Sequence, residues 1–248
     1  MDNKKVVVNV SGGADSAVLL YKAAKEFDEV HCLIFDYNQR HSREIECAKF
    51  LCNDAKKINK NIFYKVVDAS FIRQLAPTSS LTNDAIETPD VRKIAGEAQP
   101  KSYVPFRNLI FLSIALSHAE AVGAVEVWHG ATAVDSLAGY WDASGEFMPT
   151  LNSLCDLNRE HRIAVMTPLI NSDKCAIVKM GVELNVPFEH TYTCYSGEEL
   201  SDATSASSSL RIKGFIDAGY KDPVKYKQQA FLDDVYAAKN CKDIAQNK

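Results

Sequence analysis

No apolar run in the chain approaches the ~18 residues that cross a bilayer. The opening MDNKKVVVNV has an apolar stretch too short for a secretory signal and no small-residue cleavage site. A cytoplasmic protein with no membrane partner is expected. There is no excess of positive charge either: 28 Lys and Arg against 32 Asp and Glu, interleaved, leave a net charge of −4 and no footprint for nucleic acid. Cys-x-x-Cys is absent. The seven cysteines (Cys32, Cys47, Cys52, Cys155, Cys175, Cys194, Cys241) are odd in number and scattered, which argues against a disulfide framework and a standard zinc ribbon. Most are expected to be reduced and buried. No repeat of solenoid period is visible. What these absences leave is a globular protein with a small-molecule partner.

The 248 residues, 46% hydrophobic and 24% charged, suffice for a large core that needs no disulfide or metal. KKVVVNV reads as a buried strand that stops at a glycine pair, and ADSAVLLYKAAKEF then shows helical spacing. EVHCLIFDY and IFYKVVD read as the next strands, with the amphipathic helix SREIECAKFLCNDAKKI between them. From Asp68 to Tyr103 periodicity fails among prolines 77, 89 and 100, which predicts a long loop, with a short helix around VRKIAGEA. The apolar helix NLIFLSIALSHAEAVGA, the strand VEVWHGA, the helix GEFMPTLNSLCDLN and the strand IAVMTPL follow. SDKCAIVKMGVEL is a helix with Ser172 or Asp173 as N-cap. Alternation of this kind predicts an α/β fold, a parallel five-stranded sheet with helices on both faces and a ligand at the carboxyl ends of the strands. Residues 1–190 form that domain. Residues 191–248, with a helix ending at Gly219 and another over DPVKYKQQAFLDDVYAAK, form a small C-terminal helical appendage.

Between the first strand and the first helix lie Ser11, Gly12, Gly13, Ala14, Asp15 and Ser16. Glycines there let the backbone approach a ligand and free several N–H groups, and the helix N-terminus adds partial positive charge, so a phosphate suits the place. The loop has neither the lysine of a Walker A loop nor the third glycine of a dinucleotide fingerprint. The competing account is a tight connection in which Asp15 and Ser16 only favour the first helical turn.

SGGADS resembles the pyrophosphate loop, Ser-Gly-Gly-x-Asp-Ser, of the N-type ATP pyrophosphatases, a group that includes GMP, NAD and argininosuccinate synthetases and tRNA thiolation enzymes. FDYNQRHSREIECA, SSLTND, SYVPFRNLIFLSIALSHAEAVGA, GYWDASGEF, TPLINSDKCAIVKMGVEL and TCYSG…LRIKGFIDAGYKDP narrow the likeness. Over residues 5 to about 223 the chain resembles the 7-cyano-7-deazaguanine synthases of the queuosine pathway.

The resemblance implies an adenine nucleotide alpha-hydrolase-like fold and a ligase that works with ATP and Mg2+. Such an enzyme adenylates 7-carboxy-7-deazaguanine, lets ammonia displace AMP to give an amide, and dehydrates the amide to a nitrile in a second activation. It further implies a homodimer. Ser11, Gly12, Gly13, Ala14, Asp15 and Ser16 then cradle the phosphates, and Phe35, Arg40 and His41 also serve the nucleotide. Asp15, Ser16, Lys174 and Arg107 are the implied catalytic set, Lys174 matching a basic residue aimed at the α-phosphate. By periodicity alone Lys174 reads as a solvated surface lysine, and Arg40 and His41 as an exposed helix start. Tyr103, Arg107, Asn108, Asp135, Tyr140, Asp142 and Phe147 are the implied substrate contacts, while Trp141 is expected in the core.

The chain departs from the family where most members carry four zinc-binding cysteines. Cys194 and Tyr195 are kept, but Asp202, Ser205 and Ser208 hold the other three places, and serine is a poor zinc ligand, so no zinc is expected. Ala143 replaces a further cysteine. Packing in place of a structural metal is one account. A paralogue that stops at the amide or acylates another amine is a second, and a nucleotide-binding subunit without turnover a third.

Overall fold

The computed structural model describes residues 3–38, 43–83, 85–86, 101–132, 135, 140–193 and 200–244. Five strands, β1 (Lys5–Asn9), β2 (Glu29–Asp36), β3 (Ile62–Asp68), β4 (Glu126–Trp128) and β5 (Ala164–Met166), pair in parallel in the order β3-β2-β1-β4-β5. The chain first steps outward from β1 to β3, then returns to the other side of β1 for β4 and β5. Right-handed crossovers therefore put the helices of the two halves on opposite faces. On one face lie α1 (Ala14–Glu26) and α2 (Arg43–Ala55). On the other lie α3 (Phe71–Leu75), α4 (Arg107–Val122) and α5 (Phe147–Cys155). After β5, α6 (Lys174–Glu183) and α7 (Ala206–Ala218) return to the first face, and α8 (Gln229–Ala238) follows.

The strand sequences fit their places. Val6, Val7 and Val8 are fully buried because both faces of the central strand are covered. β3, at the edge, is covered less on both faces and leaves Phe63 and Val66 exposed. α1 is nearly all buried from Ser16 to Ala24, sandwiched between the sheet, α2 and α6. Of the two N-cap candidates for α6, Asp173 takes the role, accepting a hydrogen bond from Ala176 N–H at 2.7 Å. Gly219 ends α7 in the left-handed conformation, φ +83°.

Three expectations need correction, and a fourth falls outside the described residues. The stretch after Asp68 is not wholly irregular: α3 forms at once, its Ile72 drawn into the core beside Ala69 and Ala76. The expected helix around VRKIAGEA lies outside the described residues. Trp141 is not a core residue; it is 36% exposed, its Nε1 hydrogen-bonded to Tyr103 Oη and its ring edge-on to Phe106 and Phe147. Of the cysteines described, all free, Cys32, Cys52 and Cys241 are buried but Cys47, Cys155 and Cys175 only partly so, because the last three sit where their helices meet solvent.

A third, smaller core of Ile212, Tyr226, Leu232, Tyr236 and Cys241 lies under the C-terminal segment. It is tied to the sheet domain by a buried ion pair. Arg211 donates from Nε and Nη2 to both oxygens of Asp222 (2.7 and 2.9 Å), from Nη1 to Thr191 and Thr193, and from Nη2 to Phe188 O. Tyr226 Oη also donates to Asp222. Breaking such a pair leaves a buried charge without its counterion. Asp222→Ala is expected to cost about 3–5 kcal/mol in chemical denaturation; a loss within about 1 kcal/mol, the level of an exposed pair, would show that the network does not hold the segment down.

Candidate active site

The loop after β1 is built by its glycines and serines. Gly12 has φ +85°, and a Cβ there would lie 2.3 Å from Glu44 O in α2. Only glycine allows that approach. Tyr192 N–H donates to Gly12 O (2.9 Å) from the other side. The Ser16 hydroxyl donates to Gly13 O (3.0 Å) and accepts from Ser11 N–H and Ser11 Oγ. The first helical hydrogen bond runs from Ala17 N–H to Gly13 O (3.0 Å), so the N–H groups of Ala14, Asp15 and Ser16 precede the ladder. Together with the helix dipole they make a place that suits an anion.

Lys174, the first residue of α6, brings its Nζ to 2.5 Å from Asp15 Oδ2. The pair is partly exposed, 23% and 29%. Lys174 is thus not a free surface lysine but a cation held at the mouth of the loop. Gly214 in α7 permits this placement, since a Cβ there would come within 2.6 Å of the Lys174 Cβ.

A cavity of about 300 Å³ opens beside the loop, at the carboxyl ends of β1 and β4. Ser11, Gly13, Asp15, Ser16, Phe35, Arg107, Asn108, Asp135 and Tyr140 line it, so candidate segments from residue 11 to residue 140 converge there, while Lys174 is not in the lining and reaches the site through Asp15. Gly12 supports the loop from behind. Phe35 stacks face to face on Phe111, centroids 3.9 Å apart. Arg107 donates to Asn108 Oδ1 and lies over the Tyr37 ring. Tyr140 Oη shares a 2.6 Å hydrogen bond with Ser102 Oγ. Asp135 Oδ2 accepts from Thr132 N–H and Oγ1, both at 2.8 Å. Tyr103, Asp142 and Phe147 stand behind the lining: Tyr103 Oη accepts from Phe106 N–H, Asp142 Oδ2 accepts from Asn108 N–H at 3.3 Å, and Phe147 packs against Trp141. Arg40 and His41 lie outside the described residues.

Sequence reasoning missed Asn9, Tyr37, Phe111 and His129, which share the lining. Asn9 left a trace, a lone amide inside a run of valines; the others had none. A larger groove of about 980 Å³ runs between α1, α2 and the C-terminal segment, past Tyr21, Asp54, His190 and Tyr236, and contains no loop residue. Volume favours that groove, but the convergent polar groups favour the smaller cavity.

Where the family's cysteines would fall, Ser205 caps α7 by accepting from Ser208 N–H, and its hydroxyl bonds to Ser208 Oγ at 2.8 Å. Asp202 accepts from Thr204 N–H and Oγ1. Cys194 lies outside the described residues.

The loop at the switch point of a five-stranded parallel sheet defines a pyrophosphate-loop protein of the adenine nucleotide alpha-hydrolase class. Within that class the chain belongs to the Queuosine biosynthesis protein QueC family, whose sequence pattern matches residues 5–219. It is 37% identical over 230 residues to the 7-cyano-7-deazaguanine synthase of Clostridium kluyveri, covering 90% of this chain and 98% of that protein. The enzyme of the same name from Thermoplasma acidophilum is 39% identical over 238 residues, covering 92% and 94%. The NMN synthetase of Francisella tularensis shares the fold, with TM-score 0.50 at 16% identity over 100% of this chain and 91% of that one. These relatives make the chain an enzyme of queuosine biosynthesis.

Asp142 is 1% exposed, and burial pushes its carboxyl above the ordinary carboxylate range; the Arg107 charge and the Asn108 N–H offset only part of this. A raised carboxyl contributes stability below its unfolded value of about 3.9 and loses it as pH rises through the folded value. Asp142→Asn should therefore match the wild type near pH 4 and gain on it toward pH 7 in urea titrations. A variant that instead falls behind as pH rises would mean that the carboxylate is stabilised by its site.

Proposed function

We propose that the protein uses ATP to activate the carboxylate of 7-carboxy-7-deazaguanine as an acyl adenylate, and that ammonia then displaces AMP to give the amide. A second activation of the amide oxygen leads to the nitrile. A carboxylate resists attack by an amine until one of its oxygens becomes a good leaving group, and adenylation supplies one.

The observation that carries this reading is the pair Lys174–Asp15 at the open end of the loop's N–H groups. As the bond between the α- and β-phosphates breaks, negative charge grows on the departing pyrophosphate. The first-turn N–H groups of α1 and the Lys174 ammonium can receive it, and the hydroxyls of Ser11 and Ser16 can join them by turning their protons away from Ser16 Oγ and Gly13 O. Arg107, with its planar fork of donors, suits the substrate carboxylate or a phosphate. Phe35 and Tyr37 offer flat apolar surface to a ring.

The loop's chemistry fits Mg2+. Among the described residues no group of three His, Cys, Asp or Glu forms a metal cage. Mg2+ needs none, because one or two carboxylates plus substrate phosphates commonly hold it. Asp15 would be that carboxylate, and the ion supplies further neutralisation of phosphate charge when bound.

The test is a reaction of the protein with ATP, Mg2+, 7-carboxy-7-deazaguanine and ammonium, followed by mass spectrometry. AMP and the nitrile are the expected products; AMP with an accumulating amide would place the end point one step earlier. Asp15→Ala and Lys174→Met should each slow AMP formation by about 100-fold or more, the scale of losing one preorganised charge-stabilising group. ATP binding without AMP formation in the wild type would discard the reading.

A further inference from the structure

Two polar side chains on the floor of the cavity have no task in the chemistry above. Asn9 closes β1 and His129 follows β4, and the parallel pairing that sets Val8 opposite Trp128 brings them side by side at the switch point of the sheet. Alternation turns both toward α4. Val7 and Val127 belong to the core on that face, Val8 and Trp128 to the core on the other. Both residues line the cavity together with Ser11, Ser16 and Arg107. The Asn9 Nδ2 and Oδ1 atoms and the His129 Nδ1 atom are buried and make no hydrogen bond among the described residues. A buried amide whose donor and acceptor are both idle is costly, and the strand that carries it is otherwise valine from Val6 to Val10. Stability alone would place a further valine there.

We propose that Asn9 and His129 are specificity-determining residues that read the hydrogen-bonding edge of the substrate's bicyclic ring, the Asn9 carboxamide pairing with the adjacent carbonyl and N–H of its lactam. This rests on the reading that the cavity takes 7-carboxy-7-deazaguanine. A primary amide presents donor and acceptor side by side, the complement of a lactam. His129 adds a further contact without adding charge: burial, and then the Arg107 charge, pull its imidazole down to about 4, so it stays neutral at working pH. A neutral floor suits a neutral ring and leaves Arg107 for the anionic groups. Adenine also offers a donor beside an acceptor, but its ribose separates it from the phosphate where reaction occurs. The deazaguanine ring bears the reacting carboxylate directly, and Asn9 lies two residues before Ser11 of the loop. The cavity, about 300 Å³, is of a size for one such ring.

The experiment compares wild type, Asn9→Val and His129→Leu, varying ATP and 7-carboxy-7-deazaguanine separately. A second carboxylate, the pyrrolopyrimidine analogue without the lactam carbonyl and N–H, serves as probe of the edge. In both variants KM for 7-carboxy-7-deazaguanine should rise at least tenfold, about 1.4 kcal/mol of binding, with KM for ATP changed less than twofold. The wild type's preference for the lactam over the analogue, in kcat/KM, should shrink by the same factor, and the melting temperature of the free variants should not fall. If Asn9→Val does not fold, Asn9→Asp, which keeps the shape and loses the donor, should show the same loss in KM. A rise in KM for ATP alone, or an unchanged preference for the lactam, overturns the assignment while wild-type turnover leaves the proposed reaction standing. A wild type that forms no AMP from the deazaguanine removes both.

Discussion

The backbone of Gly12 lies so close to α2 that no side chain fits between them, and the arrangement of the site follows from that contact. Held against Glu44 on one side and hydrogen-bonded from Tyr192 on the other, the loop cannot roll over the end of β1. Its position fixes the axis of α1, and with it the direction of the unpaired N–H groups of the first turn. It also sets where Asp15 emerges, and so whether a lysine from α6, far along the chain, can meet it. Gly214 repeats the device further back, letting α7 approach α6 at Lys174. Close backbone approach, more than any single polar contact, brings the two ends of the sheet domain onto one ligand site.

The site holds costs that the rest of the fold avoids. Phe106 starts α4 in the left-handed region, φ +53°, a conformation that costs a bulky residue about 1–2 kcal/mol. Its N–H is held by Tyr103 Oη and its ring by Trp141, and the neighbour so positioned is Arg107. Asp142 is buried with Oδ1 unpartnered among the described residues, and Asn9 and His129 share that condition. Four uncomfortable residues around one small cavity mark a place where local preference yields to function. The two large cores on either face of the sheet offset these losses.

Substitution in the C-terminal region has a local physical consequence. A thiolate-bound metal would cross-link the segment before α7; here Ser205 caps the helix and bonds to Ser208, while Arg211 and Asp222 anchor the following turn. Hydroxyl and guanidinium groups cannot replace a metal's bond strength, but they satisfy the backbone at the helix end and bury the ion pair with full hydrogen bonding.

How much of this was legible depends on the range of the signal. The strands, the helices, a helix start at Ser172 or Asp173 and the glycine-rich loop follow from periodicity and turn chemistry over ten or twenty residues, because burial of one face imposes a repeat on the local sequence. Edges blurred where local signals conflict: α3 forms beside prolines because Ile72 finds a core, and Trp141 lies near the surface because Tyr103 and the Phe106 and Phe147 rings give it partners there. The sequence by itself thus determined an α/β chain with a glycine-rich turn leading into the first helix. The tertiary structure alone decided that Lys174 is paired with Asp15, that Arg107 and Asp135 share one cavity, and that Asn9 stands beside His129. Each of these depends on which strands become neighbours and which way the crossovers turn, and a residue's own neighbours in the chain do not encode that.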